Sequence, residues 1–255
     1  MSNVSYKFSM STAQLNFFLD KIHDLLSIDD EILFKINKDN TLFYVVVGEK
    51  SNVNAFKSFI FKTNEVFSFT DDIPKEIRYI VKKGAKFEST IKNYLDYDED
   101  VHCEFFMNDD TYADNLKLKN SKLKLSIIGG DIRGMNTNID IEKIKKTVNI
   151  NNIDFKFTLD KNSFTKIKKI GAVDNENDIL TLDITDNSLT IGEDIQWNLK
   201  ICDINHDDLS ITFPKKYFKS ITFTDDEDIT IYVFDTFLFI DNQNTSLLIS
   251  LELTI

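Results

Sequence analysis

The chain has 255 residues, 42% of them apolar and 22 of them Phe, which is enough material for one large or two ordinary globular domains, each with a core of its own. With 42 acidic against 30 basic residues and a net charge of −12, it is not a protein coated in nucleic acid, although lysines gathered on one surface would still create a local positive field. No run of about 18 apolar residues occurs and the N-terminus has no signal-peptide core, so no membrane span is expected and the cytoplasm is the expected location.

Period-two alternation dominates the chain in order. Tyr6, Phe8 and Met10 predict a first strand. Ser11 or Thr12 then caps a helix to about Leu26, whose stripe is Leu15, Phe18, Leu19, Ile22 and Leu25. Its wheel turns Asp20 and Asp24 outward and leaves Lys21 on the flank. Ile32, Phe34 and Ile36 share the face of the next strand. After a segment at 71–83 that breaks the sheet pattern at Pro74, a short helix is expected at about Ala85 to Leu95. Strands follow with Val101, Cys103, Phe105 and Met107, then Leu123, Leu125 and Ile127. Residues 131–151, with Ile139, Ile141 and Ile144 among charges, read as an ordered connector, since a Gly/Ser linker would not carry those isoleucines. The pattern then restarts. Phe155, Phe157 and Leu159 predict a strand, and Asn162 or Ser163 opens a helix with Phe164, Ile167 and Ile170 inward and Gly171 as its stop. A short helix with proline in its first turn is expected at Pro214 to Ile221, and the last strands carry Ile229, Ile231 and Val233, then Leu247, Ile249 and Leu251.

The restart is a repeat. Lys7-Phe8-Ser9-Met10 recurs as Lys156-Phe157-Thr158-Leu159, and Glu31-Ile32-Leu33 with Asp39-Asn40-Thr41-Leu42 recurs as Asp178-Ile179-Leu180 with Asp186-Asn187-Ser188-Leu189. Matching the strand faces puts one extra residue in the first turn, because a one-residue slip would turn every core side chain to water. The fold class is therefore α+β, two tandem copies spanning 1–130 and 152–255 joined by the 131–151 connector, each reading strand, helix, several strands, short helix, strands.

Catalytic and metal constellations are missing from the pattern. Cys103 and Cys202 have no CxxC spacing and read as buried free thiols. His23, His102 and His206 lie on different elements, and His102 and Cys103 would face opposite ways on a strand. Acid pairs such as Asp29-Asp30, Asp109-Asp110, Asp207-Asp208 and Asp225-Asp226 punctuate strand ends, as turn chemistry requires. No phosphate-loop, dinucleotide or nucleophile-elbow motif occurs, so the chain is expected to be neither an enzyme nor dependent on a cofactor or metal.

Two copies of such a unit, with the run Phe155 to Leu159, the lysine-rich helix after it and Asp186-Asn187-Ser188-Leu189-Thr190-Ile191, resemble the DNA sliding clamps of the proliferating cell nuclear antigen type, including those of tailed phages. The resemblance implies two clamp domains per subunit, antiparallel sheets outside and two helices per domain lining the inner face of a homotrimeric ring. Three-domain dimers belong to the bacterial branch, which this length does not match. It also implies a processivity factor acting in the cytoplasm, or the host cytoplasm for a phage-encoded chain. Such a factor encircles double-stranded DNA without reading sequence, is placed there by a clamp loader, and tethers a DNA polymerase.

A ring that slides needs weak phosphate contacts, which lysines supply. The helical wheels put Lys161, Lys166, Lys168 and Lys169, then Lys215, Lys216 and Lys219, on outward faces of the second copy, and Lys82, Lys83, Lys86 and Lys92 on those of the first. The acidic remainder would then cover the outside. By the same resemblance Val53, Ile139, Ile141, Ile144, Phe237, Leu253 and Ile255 would form a pocket for partner peptides. Phe56 to Lys62 and Asp228 to Asp235 would be the edges pairing between subunits. The alternatives are a monomeric processivity factor of the same fold and a β-rich virion structural protein. Mass in solution separates these readings.

Overall fold

In the computed structural model, the structure describes residues 4–49, 52–73, 76–94, 99–131, 143, 146, 155–173, 179–185, 188–191, 197–200, 209–219, 228–234, 237–242 and 244–251. The chain divides into two compact units, Met1–Lys50 with Lys57–Thr137, and Ser51–Phe56 with Asn138–Ile255.

In the first unit Ser11 starts the long helix as a capping box: its hydroxyl accepts from the Gln14 amide at 3.3 Å, while the Gln14 side chain accepts from the Ser11 amide at 2.9 Å. This places α1 (Thr12–Leu26) directly after β1 (Ser5–Met10). Then come β2 (Ile32–Ile36), β3 (Asn40–Glu49), β4 (Asn52–Lys62), the short α2 (Thr63–Val66) and β5 (Ser68–Phe69). The unit continues with β6 (Ile77–Val81), α3 (Gly84–Tyr94), β7 (Val101–Met107), β8 (Ala113–Lys119) and β9 (Lys124–Ile128). Two sheets result, ordered β5-β1-β7-β8-β9 and β6-β2-β3-β4. The stripe of α1, all of it buried, joins both sheets and α3 in one core rich in Phe rings. The 71–83 segment that broke the sheet pattern holds β6, which pairs with β2.

The second unit repeats the plan with β10 (Phe155–Leu159), α4 (Lys161–Val173), β11 (Ile179–Thr185), β12 (Ser188–Ile191), β13 (Trp197–Lys200), β14 (Leu209–Pro214), α5 (Lys215–Lys219), β15 (Ile229–Val233), β16 (Phe237–Asn242) and β17 (Thr245–Ser250). Its strand orders are β10-β15-β16-β17 and β14-β11-β12-β13, matching β1-β7-β8-β9 and β6-β2-β3-β4 strand for strand. The registers match as well. The row Phe8, Cys103, Leu118, Leu125 across the first unit corresponds to Phe157, Ile231, Ile240, Leu247 across the second. Cys103 thus occupies an isoleucine's place as a buried thiol, and burial pushes its ionisation far up.

Three details differ from expectation. Ile36 pairs with Thr41 and Ile184 with Leu189, so the two turns are equal in length and the first carries no extra residue. Thr41, not Leu42, points inward, and a hydrogen bond of 2.9 Å between the Thr41 and Thr63 hydroxyls satisfies it there. Second, α4 runs on through Gly171 and is capped by Asp160, which accepts from the Ser163 hydroxyl at 2.6 Å and the Ser163 amide at 2.9 Å. Third, Pro214 closes β14 instead of lying inside α5.

The Ser163 hydroxyl and amide hold the Asp160 carboxyl below the usual carboxylate range. A carboxyl lowered by folding stabilises α4 above its unfolded pKa and loses that contribution as pH falls through the folded value. Amide exchange at Ser163 and Phe164 is therefore expected to speed up selectively on acidification, and Asp160→Ala to produce the fast rate at neutral pH.

Candidate nucleic-acid interface

In each unit the two longer-range helical elements lie side by side, α1 against α3 and α4 against α5. On α4 the sequence KNSFTKIKKIGAV holds four lysines and no acid. Phe164 is buried, Lys166 and Lys169 are exposed and Lys161 is half-buried. The side chains of Lys168 on α4 and Lys219 on α5 lie outside the description, as do those of Ile167 and Ile170. Lys216 is exposed, its ammonium 4.7 Å from the centre of the Tyr217 ring.

Lys215 leaves the set of outward lysines. It is only 4% exposed. Buried residues at 215 and 217 flank the exposed Lys216, so the inward face of this five-residue helix is set at its opening, not by the Phe218 and Ile221 stripe that the wheel used. Lys21 in α1 is likewise buried, not on the flank: its ammonium lies 5.1 Å from the Phe17 ring centre and 4.7 Å from that of Phe59. The solvent face of α1 therefore carries Asn16, Asp20 and His23 without a lysine.

Beside it, Lys82, Lys83, Lys86 and Lys92 are all exposed at α3 and the turn before it. Gly84 allows α3 to start hard against the preceding structure: a Cβ there would stand 3.1 Å from the Asp30 carbonyl oxygen, and the Ala85 amide donates to the Asp30 carboxylate at 2.7 Å. Lys92 pairs with Glu88, whose carboxylate also lies 3.1 Å from His23 Nδ1, so one acid offsets the charge at the α1–α3 seam. Lys82, Lys83 and Lys86 rim a cavity of about 400 Å³ floored by Val81, Phe87 and Ile127, next to the free edge of β9.

Of the peptide-pocket residues, Ile139, Ile141, Ile144, Leu253 and Ile255 lie outside the described residues, and Val53 is placed on β4 without its side chain. Phe237 opens β16, half-buried, its ring stacked on Phe234 at 4.2 Å, and both pack with Leu248 onto buried Tyr232 and Phe239. The pairing edges are not those expected. Asp228 to Asp235 contains β15, which pairs with β10 on one side and β16 on the other. In the other segment Phe56, Lys57, Ser58 and Phe59 are all buried. Sheet order depends on partners remote in sequence, which alternation alone does not reveal.

No protein-family model and no curated protein matches the sequence. Among solved structures, the DNA polymerase III beta chain of Streptococcus pneumoniae aligns with a TM-score of 0.66 and 13% identity over 97% of this chain and 65% of that one. The Helicobacter pylori beta clamp bound to a DNA ligase peptide gives 0.66 and 14%, over 96% and 66%. The proliferating cellular nuclear antigen of Entamoeba histolytica gives 0.62 and 16%, over 97% and 98%. The chain thus spans 65–66% of the length of those bacterial clamps and nearly all of the Entamoeba protein. It has the sliding-clamp fold, as the repeat had suggested.

Proposed function

We propose that this chain is a sliding clamp without catalytic activity: a homotrimeric ring of subunits with clamp domains at 1–130 and 152–255 and a connector at 131–151. The ring encircles duplex DNA in the cytoplasm, is placed there by a clamp loader, and tethers a replicative DNA polymerase. The observation that carries the reading is α4, an acid-free lysine helix in a clamp fold, with Lys166 and Lys169 exposed. With Lys161, Lys168, Lys216 and Lys219, and with Lys82, Lys83, Lys86 and Lys92 of the first unit, they supply phosphate contacts without base readout.

Partner peptides, as the ligase peptide does on the Helicobacter clamp, would dock on an apolar surface. The candidate here is the Phe234, Phe237 and Leu248 cluster, completed by Val53, Ile139, Ile141, Ile144, Leu253 and Ile255. Ring closure would join the free edge of β9 to that of β13 in a second copy. The lysine rim beside β9 complements the acids Glu193, Asp194 and Asp203 that flank β13 in sequence.

Mass in solution is expected to be three times 29.6 kDa. Protein loaded on nicked circular duplex should resist high salt and be lost once the circle is cut. A monomer whose binding falls with salt equally on circular and linear DNA would sink the ring.

A further inference from the structure

The strand registers reveal a cationic surface on the first unit's five-stranded sheet, on the face turned away from the core. Three rows cross this face. One is Ser9, His102, Lys119, Lys124; the next is Lys7, Glu104, Lys117, Ser126; the third is Ser5, Phe106, Asn115, Ile128. Lys7, His102, Lys119 and Lys124 are exposed. Glu104 is the single carboxylate in the rows, half-buried and accepting the Ser5 hydroxyl at 2.7 Å. The other acids stand at the ends of the sheet: Asp114 at the start of β8, Asp100 before β7, and Glu99, whose carboxylate takes the Ser121 amide and hydroxyl. In a chain with a 12-charge acidic excess, four lysines and a histidine against one partly shielded acid form a segregated patch, where the acidic remainder had been expected.

The duplication sharpens the point. Lys7 corresponds to Lys156, so the second unit's matching row is Lys156, Tyr232, Phe239, Leu248. There the row is aromatic and aliphatic; here it is charged. The core rows of the two copies stay apolar while these outer rows have diverged, so the difference lies in what each outer face meets and not in what holds the fold.

We propose that this face binds an acidic polypeptide segment that also carries apolar residues. Cross-strand neighbours on a sheet lie about 5 Å apart and alternate residues along a strand about 7 Å apart, so the lysines can meet successive carboxylates of an extended chain. Apolar contact is on offer at the flank, where Ile128 is 80% and Leu123 40% exposed. Nucleic acid is the weaker match. The face shows no open aromatic platform for bases, since the Lys117 ammonium sits 3.6 Å from the centre of the Phe106 ring.

This reading is independent of DNA encirclement and is tested on the full chain. The probe is a short fluorescein-labelled peptide of Asp, Glu and two Leu, with labelled oligothymidylate as a second probe. The peptide should bind the wild type with an affinity that falls with salt. Lys7→Glu/Lys119→Glu/Lys124→Glu should weaken it by roughly tenfold or more. Lys166→Glu/Lys169→Glu should leave it unchanged. A Gln version of the triple variant, checked by thermal unfolding against the wild type, separates lost charge from lost fold, and should weaken the peptide by an intermediate amount. Failure of the wild type to bind the peptide, equal binding by the folded triple variants, or loss of oligothymidylate but not peptide in them, would overturn the assignment.

Discussion

Replacing Lys86, Lys166 and Lys169 with glutamate is expected to abolish loading onto nicked circular duplex while leaving the oligomer's mass unchanged. All three side chains are exposed, and none carries core packing. Each lysine that neutralises a phosphate contributes about 0.9 to the log–log dependence of affinity on salt, so losing three contacts should lower the slope by about 2.7, before counting the new repulsion. Binding to a short duplex at low salt reads this slope without a loader. The charge-neutral Gln variants should lower the slope similarly and lose less affinity, because they remove attraction without adding repulsion. Lys215→Gln is the contrasting case. Its buried side chain cannot reach a phosphate, so it should leave the slope alone and act, if at all, on stability. An unchanged slope in the triple variant would remove α3 and α4 from the duplex-facing surface, whatever the fold.

How far the sequence reaches follows from the physics of each element. The core rows were legible because a half-buried strand alternates with period two, and Phe8, Cys103, Phe157 and Ile231 obey it. The cap at Ser11 was legible because its partner Gln14 lies three residues on. Thr41 was not. Its inward turn depends on the Thr63 hydroxyl, which is distant in sequence, and Leu42 looked the better core residue. Buried Lys21 and Lys215 escaped for a related reason. A helical wheel assumes water opposite the apolar stripe, whereas Lys21 lies over the rings of Phe17 and Phe59, the latter from a strand far along the chain. The cationic sheet face was hidden most completely, since Lys7, Lys117 and Lys124 come from three strands and only register makes them neighbours. Lysines on one helix announce themselves; lysines on one sheet do not.

Phe18→Ala is expected to destabilise the protein by about 3–5 kcal/mol, a large share of the roughly 5–15 kcal/mol typical of a folded domain. Phe18 is 1% exposed at the centre of the first unit's core. Its ring meets those of Phe34, Phe43, Phe67 and Phe87 with centroids 5.6, 5.5, 5.9 and 6.1 Å away and interplanar angles of 65–80°. These edge-on contacts join α1 to β2, β3 and α3 and to the residue between α2 and β5, so truncation leaves a cavity that no single neighbour can fill. Phe18→Leu keeps most of the volume and should cost less than half as much. The check is a urea titration in which the midpoint falls with the slope unchanged. A loss below about 1 kcal/mol would mean that α1 can settle into the space, and that the ring cluster is not what fixes it. That outcome would bear on function as well, because α1 is the helix against which α3 packs, and a loosely held α1 would leave Lys86 and Lys92 without a fixed bearing on anything outside the subunit.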